Sequence, residues 1–260
     1  MNIRLLMRMG NITFSKEFVN TIKEFGFVPT RKNHFNASAI CINHGNGRQF
    51  TLGHNVKKFI SLNNPDYIST VSSKKKSYNI LEKFYPKTFF NARDVNIFPV
   101  VAKLTNGHHG YGLAYINNKK DLEKHKGNAH LFQQKVDCKH EFRFNVLDGE
   151  IFQVSHRDKL SDFTEQGGLQ FQYMSLKSHG SNMVSNKLQK FVDDVMYTMK
   201  EKVGINLPSY CIDVMKDKNG EYFLSELNSG YGIGQHTCRK LSECLEKKYD
   251  KGELEKYRLV

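Results

Sequence analysis

Three oxygen-bearing side chains in one predicted hairpin set the chemistry this sequence can do. Asp213, Glu226 and Asn228 lie within Ser209–Asn228, where two apolar-rich runs flank Asn219-Gly220. Asn-Gly is a strong two-residue hairpin signal, because both central residues of a type I′ turn need positive φ. With that loop Lys218 faces Glu221, and Asp213 falls directly opposite Glu226, with Cβ atoms roughly 4.5–5.5 Å apart. Asn228, two residues further on, shares their face. Opposed carboxylates repel. A hard divalent cation with oxygen ligands removes that repulsion, and Mg²⁺ commonly takes one or two carboxylates together with phosphate oxygens. The set reads as a Mg²⁺–nucleotide platform; the plainer alternative is a hydrated, solvent-facing row of charges.

A second group lies about a hundred residues earlier. The apolar strand Pro99–Leu104 carries Lys103 near its end and runs into a loop with glycines at Gly107, Gly110 and Gly112. Glycines let backbone N–H groups approach a phosphate closely, and a lysine neutralises phosphate oxygens. The loop lacks the GK[ST] of a P-loop, and no periodic apolar helix follows Gly112 as a dinucleotide fingerprint requires. An ordinary glycine-rich hairpin is the alternative. A third group is Glu141, Arg143 and Asn145, which alternate onto one face of a strand while Phe142, Phe144 and Val146 take the other. Arg157 and Lys159 follow on the return strand after an Asp148-Gly149 turn.

These groups need a scaffold, and the patterning supplies one. Asn2–Met9 reads as a strand, Lys16–Phe25 as a helix capped by Ser15 and ended by Gly26, and Ala37–Ile42 as a second strand, a βαβ-like start. Lys58–Leu62 is a short strand, and Asn63-Asn64-Pro65 breaks the chain. A helix is predicted from Ser72 or Ser73 through Lys83, ended by Pro86. Thr88–Phe90, Leu131–Val136, Glu141–Leu147 and Glu150–His156 read as strands, and Ser161–Gln172 as a polar loop over the site. Asn186–Val203 is an amphipathic helix whose Leu188, Phe191, Val192, Val195 and Met199 form a core stripe. Cys238–Leu259 is a charged, lysine-rich helix or tail. His34, His44 and His54 show no metal-ligand spacing.

Composition bounds the function. A chain of 260 residues supports a real core. No run approaches the roughly 18 apolar residues of a membrane span, and the N-terminus lacks a secretory h-region. Five scattered cysteines without a CxxC point to a reduced, cytoplasmic protein. A net charge of +13 suits an anionic partner: a nucleotide, a nucleic acid or an acidic protein. No zinc finger or aromatic-basic RNA-binding pattern accompanies that charge.

Taken in order, these motifs resemble the ATP-grasp family, most closely its RimK-like carboxylate–amine ligases, over roughly residues 70–235. The family's Lys-x-x-x-Gly-x-x-Gly-x-Gly is met by Lys103, Gly107, Gly110 and Gly112. Its hinge strand resembles Gln133-Gln134-Lys135-Val136, its acidic-x-Arg element Glu141-Phe142-Arg143, and its metal set Asp213, Glu226 and Asn228. Leu104 and Tyr231 stand where prolines are common, Gln134 replaces a usual glutamate, and no Arg-x-Asn occurs in the 160s.

The resemblance implies an α/β protein of ATP-grasp fold, with two α+β lobes clamping ATP behind a small N-terminal α/β domain. The implied divisions are residues 1–70 for that domain, 71–135 for the central lobe, 136–240 for the lobe with the metal site, and 241–260 for the charged C-terminal helix or tail. It implies Mg²⁺ (two ions bridged by Glu226, or Mn²⁺) and phosphate contacts from Lys103 and Lys74, with Lys75 and Lys76 as competing registers for the latter. Main-chain groups of Gln134, Lys135 and Val136 would read adenine, and Glu141 a ribose hydroxyl. Arg143 and Arg157 would stabilise the carboxylate and an acyl phosphate. The implied partners are ATP, a carboxylate substrate and an amine acceptor, either of them a peptide, protein or amino acid. A silent nucleotide sensor, and a ligase for a polyanionic or nucleic-acid-associated partner, are the competing readings.

Overall fold

The computed structural model describes residues 4–9, 16–44, 48–63, 65–104, 114–125, 127, 131–158, 177–178, 184–203, 208–232 and 234–260. The chain opens with β1 (Arg4–Met9), α1 (Lys16–Glu24), β2 (Phe27–Thr30), β3 (His34–Phe35), β4 (Ala39–His44), β5 (Thr51–Leu52) and β6 (Phe59–Leu62). Four of these strands make a parallel sheet in the order β2-β1-β4-β6. A parallel sheet is covered on both faces, so its strands read as nearly continuous apolar runs; in β4 Ala39 to Ile42 are all buried. Gly26 closes α1 at φ 79°, the left-handed conformation a helix end favours.

Two helices follow where the sequence suggested one: α2 (Pro65–Ser72) and α3 (Lys74–Leu81). Pro65 opens a helix instead of only breaking the chain, because its missing N–H costs nothing at a first helical position. Ser73, in extended conformation, separates the two helices and caps α3 by accepting a hydrogen bond from the Lys76 N–H. A 3₁₀ turn, Glu82–Phe84, completes α3.

Next come β7 (Thr88–Phe89), β8 (Val100–Lys103), β9 (Ala114–Ile116), α4 (Lys119–His125) and β10 (Leu131–Gln134). They form an antiparallel sheet in the order β7-β10-β8-β9, around Phe89, Val100, Ala102, Ile116, Leu122 and Phe132.

The third sheet uses β11 (Cys138–Leu147), β12 (Glu150–Asp158), β13 (Lys177–Ser178), β14 (Ser209–Asp217) and β15 (Tyr222–Asn228), in the order β13-β12-β11-β14-β15. The helix α5 (Asn186–Val203) lays Leu188, Val192, Val195 and Met199 on one face, against Phe142, Phe144 and Val146. The other face is left for chemistry.

The last helix, α6 (Gln235–Asp250), is no loose tail. Its Cys238, Leu241, Cys244 and Leu245 share a core with Met7, Ile40 and Ile60 of the first sheet and Leu147 and Cys211 of the third. Beyond it the chain end pairs with β6, the Leu259 N–H donating to the Phe59 carbonyl at 2.8 Å.

Candidate active site

The acidic set stands on the hairpin, by a route the sequence did not disclose. The loop is not the expected two-residue type I′ turn with Lys218 facing Glu221. Asp217 Oδ1 accepts from the Asn219 and Glu221 N–H groups at 2.9 and 2.8 Å, and the Gly220 N–H donates to the Asp217 carbonyl at 3.2 Å. That side-chain turn leaves only Gly220 at positive φ (83°), giving a three-residue loop that shifts the register by one. An extra residue, Ser225, then bulges between the pairs Val214–Leu224 and Asp213–Glu226. The two shifts cancel, and Asp213 lies opposite Glu226.

Arg143 lies directly across from Asp213 on the next strand. Its Nε and Nη2 donate to Asp213 Oδ1 and Oδ2 at 2.6 and 2.7 Å, a bidentate pair. Asn228 Nδ2 donates to Asp213 Oδ2 at 3.1 Å and to Glu226 Oε1 at 3.0 Å, so one amide bridges the two carboxylates. Lys74 Nζ stands 3.7 Å from Glu226 Oε2. Of the three candidate lysines it is the one in the cleft: Lys76 donates to Ser69, and Lys75 lies over the Phe90 ring. Burial pushes the Glu226 carboxyl up, but Lys74, the Asn228 hydrogen bond, Lys103 and Arg143 together hold it below the usual range. Burial opposes the charge on Arg143, yet Asp213 raises its pKa above the ordinary value.

Lys103 faces this wall from the central sheet. Lys74, Lys103 and Ser225 line one cleft with Tyr78, Tyr85, Thr88, Leu131 and Gln133. Lys103 Nζ donates to Gln133 Oε1 at 2.6 Å, and Gln133 Nε2 donates to Thr88 Oγ1 at 3.0 Å. Its partner is thus a neutral amide. Desolvation pushes the Lys103 ammonium down to about 8, against the pull of Glu226 and Glu141 and with the push of Lys74. Tyr78, Tyr85, Thr88, Gln133 and Ser225 went unnoticed in the sequence. Gln133 had a signal, as a polar residue inside the apolar strand Leu131–Gln134.

The remaining candidates divide. Glu141 shares the face of Arg143 and lies opposite Arg157, whose side chain falls outside the described atoms. Gly107, Gly110, Gly112, Lys159 and the 161–172 loop lie outside the described residues. In the hinge the Gln134 N–H donates to the Lys87 carbonyl and the Lys135 N–H to the Pro99 carbonyl, at 2.8 and 3.0 Å. Both donors are spent inside the fold, which narrows adenine readout there to carbonyls and the Val136 N–H. His44, read as a loop histidine, ends β4 and packs on the loop after β15: its Nε2 lies 2.9 Å from the Tyr231 carbonyl oxygen. A Cβ on Gly230 would come within 2.6 Å of its ring.

The donor chemistry fits a hard cation. Two ionised carboxylates supply oxygens, and Asn228 supplies its amide oxygen once the amide turns over. In the structure the amide NH₂ stands between the carboxylates, doing for two anions what a cation does; amide orientation follows the hydrogen-bond network. Among the described residues no three His, Cys, Asp or Glu side chains come together, so the protein's share is two carboxylates and an amide.

No curated protein matches the sequence. Solved structures share the fold. A RiPP-associated ATP-grasp ligase from Chryseobacterium gregarium, solved with ADP and a leader and core peptide, matches with TM-score 0.58 and 13% identity over 95% of this chain and 97% of that one. The L-amino acid ligase of Bacillus licheniformis matches with TM-score 0.55 and 13% identity over 90% and 68%. A RimK domain protein of Sphaerobacter thermophilus matches with TM-score 0.54 and 11% identity over 92% and 98%. Residues 104–243, more than half of the chain, match the family model of an ATP-grasp domain, family 2 of its clade. With Lys103 and Glu226 facing one cleft across two α+β sheets, the chain belongs to the ATP-grasp family.

Proposed function

We propose that this protein is an ATP-dependent carboxylate–amine ligase of the RimK-like kind, working in a reducing cytoplasm and forming an amide or peptide bond. The observation that carries the reading is the facing of Lys103 and Lys74 with Asp213, Glu226 and Asn228 in one cleft. A carboxylate oxygen of the substrate attacks the γ-phosphorus, the bond to the β-phosphate oxygen breaks, and ADP leaves. An amine nitrogen then attacks the acyl carbon, inorganic phosphate leaves, and the amine proton passes to solvent.

Such chemistry asks the protein for positioning and charge neutralisation. Lys103 and Lys74 bind phosphate oxygens, joined by backbone N–H groups of the loop with Gly107, Gly110 and Gly112. Glu141 takes a ribose hydroxyl. Asp213, Glu226 and Asn228 hold Mg²⁺, two ions sharing Glu226, or Mn²⁺ in its place. The metal, when bound, draws charge from the transferred phosphoryl group. Arg143, with Arg157, stabilises the negative charge that builds on the carboxylate and acyl phosphate. The 161–172 loop excludes water from the acyl phosphate.

The charge distribution favours an acidic substrate or partner. Of the 39 Lys and Arg, 21 lie in residues 1–135, with only seven of the 26 Asp and Glu. A nucleic-acid role for that charge predicts retention on DNA or RNA that weakens steeply with salt. The ligase reading is tested by ADP release on mixing protein, ATP and Mg²⁺ with carboxylates and amines. Release that needs both substrates supports it; tight ATP binding without turnover under any pairing would make the protein a sensor.

A further inference from the structure

Three consecutive polar pairs cross from β11 to β12 on the active face: Glu141–Arg157, Arg143–Ser155 and Asn145–Gln153. Asn145 and Ser155 are each only 1% exposed. Asn145 Nδ2 donates to Gln153 Oε1 at 2.8 Å. Yet Asn145 Oδ1 and Ser155 Oγ have no hydrogen-bond partner among the described residues. Each such buried group costs roughly 1–3 kcal/mol if it stays unpaired. Both flank Arg143, one across the strand pair and one two residues along it. Arg143 meets Asp213 through Nε and Nη2, which leaves Nη1 on the far side of the guanidinium. Gly232 lies over that nitrogen, where a Cβ would stand 3.0 Å from Nη1.

We propose that Arg143 Nη1, Ser155 Oγ and Asn145 Oδ1 form the subsite of the carboxylate substrate, and that this substrate carries an N–H donor beside its carboxylate: an α-amino acid, free or at the C-terminus of a peptide. The inference rests on the ligase reading and adds what the activated acid must contain. Arg143 Nη1 and the Ser155 hydroxyl donate to the carboxylate. Asn145 Oδ1 accepts the N–H, because its own amide is already spent on Gln153. Same-face neighbours on a strand lie about 6.5–7 Å apart, close enough for one small ligand to reach both once the long Arg143 side chain is counted. An acid without the N–H leaves Asn145 Oδ1 buried and unpaired, the circumstance in which a site rejects an analogue most strongly.

Trapping acyl phosphates as hydroxamates, with hydroxylamine in place of the amine, tests this without knowing the acceptor. The probes are the proteinogenic amino acids, glycyl dipeptides ending in each, and matched acids lacking nitrogen, such as propionate for alanine. The expected result is at least a ~10-fold preference for the N–H-bearing acid. Asn145→Leu is expected to erase that preference, while Asn145→Asp, which keeps an acceptor, retains it; free amino acids and dipeptides compared directly tell which source the site takes. ADP binding by every variant reports the fold, and if Asn145→Leu fails there, the wild-type panel and Asn145→Asp decide. Equal use of propionate-like acids by the wild type, or a preference that survives in a folded Asn145→Leu, overturns the subsite and leaves the ligase reading standing. If no acid is activated, that reading falls, and calorimetric titration of the ADP-bound wild type with the same panel decides the subsite: amino-acid binding upholds it, and no binding overturns it.

Discussion

The two walls of the cleft treat charge in opposite ways. On the third sheet, anions are matched from within: Asp213 by the Arg143 fork, Glu226 by Lys74, and both by the Asn228 amide. On the central sheet, Lys103 donates to the neutral Gln133, and its desolvation lowers its pKa to about 8. One wall is preorganised and nearly neutral; the other holds a cation whose charge an incoming anion would stabilise. Such an asymmetry suits a site where a triphosphate arrives at the lysine side and a cation at the carboxylate side.

Four experiments test this contrast. The largest effect is expected from Glu226→Gln, which keeps the shape and removes the shared anion: ADP release falls by at least ~100-fold, while far-UV circular dichroism is unchanged. Wild-type turnover in that variant would remove Glu226 from the metal set. Next comes Lys103→Ala, expected to raise the ATP concentration for half-maximal rate by ~10–100-fold, the size of a charge-assisted contact. An unchanged ATP dependence would count against the lysine wall.

The third concerns protons. The Lys103 pKa is lowered relative to a free lysine, so the folded, ligand-free protein loses this proton from about pH 8, while the unfolded chain keeps it to about 10.5. Between those values the unfolded state binds more protons, so this group makes folding more favourable as pH rises. Nucleotide binding runs the other way. A bound phosphate restores the ammonium, so ATP affinity should fall by up to about tenfold per pH unit above 8, with proton uptake on binding. Calorimetry in buffers of different ionisation enthalpy reads that uptake, and its absence above pH 8 would contradict the assignment.

The smallest effect belongs to the loop that braces the acidic wall. A Cβ at Gly230 meets the His44 ring, so Gly230→Ala should cost about 1–3 kcal/mol of stability in urea unfolding. A variant as stable as wild type would show that His44 yields freely.

A second pair of regions shows how far the sequence could be read. Asp148-Gly149 and Asn219-Gly220 are both Xaa-Gly turns between strands. The first takes positive φ at both residues, 51° and 76°, and pairs Leu147 with Glu150, as a type I′ turn does. The second does not, because Asp217 captures two N–H groups of its own loop. Opposition of Asp213 and Glu226 was legible all the same, since a one-residue slip would have sent the acidic set to the face that packs on α5; only the bulge at Ser225 shows how that face was kept. Helix α5 was readable to its ends because its apolar stripe repeats at helical spacing. Helix α6 hid its role, because four apolar contacts were spread through a lysine-rich stretch.

Residue types and local spacing were enough to mark which side chains can carry the chemistry: a strand-borne lysine before glycines, an acidic-x-arginine strand, and an acid pair with an amide two residues on. Those features are properties of short segments, so they survive without any knowledge of the fold. Tertiary structure decided the pairings: Arg143 on Asp213, Lys74 rather than its neighbours on Glu226, hinge N–H groups spent within the fold, and two buried acceptors beside Arg143 without a partner among the described residues. Those outcomes depend on which strands lie side by side and which loops cross above them, and a hydrogen bond spanning seventy residues has no signature in the residues at either end.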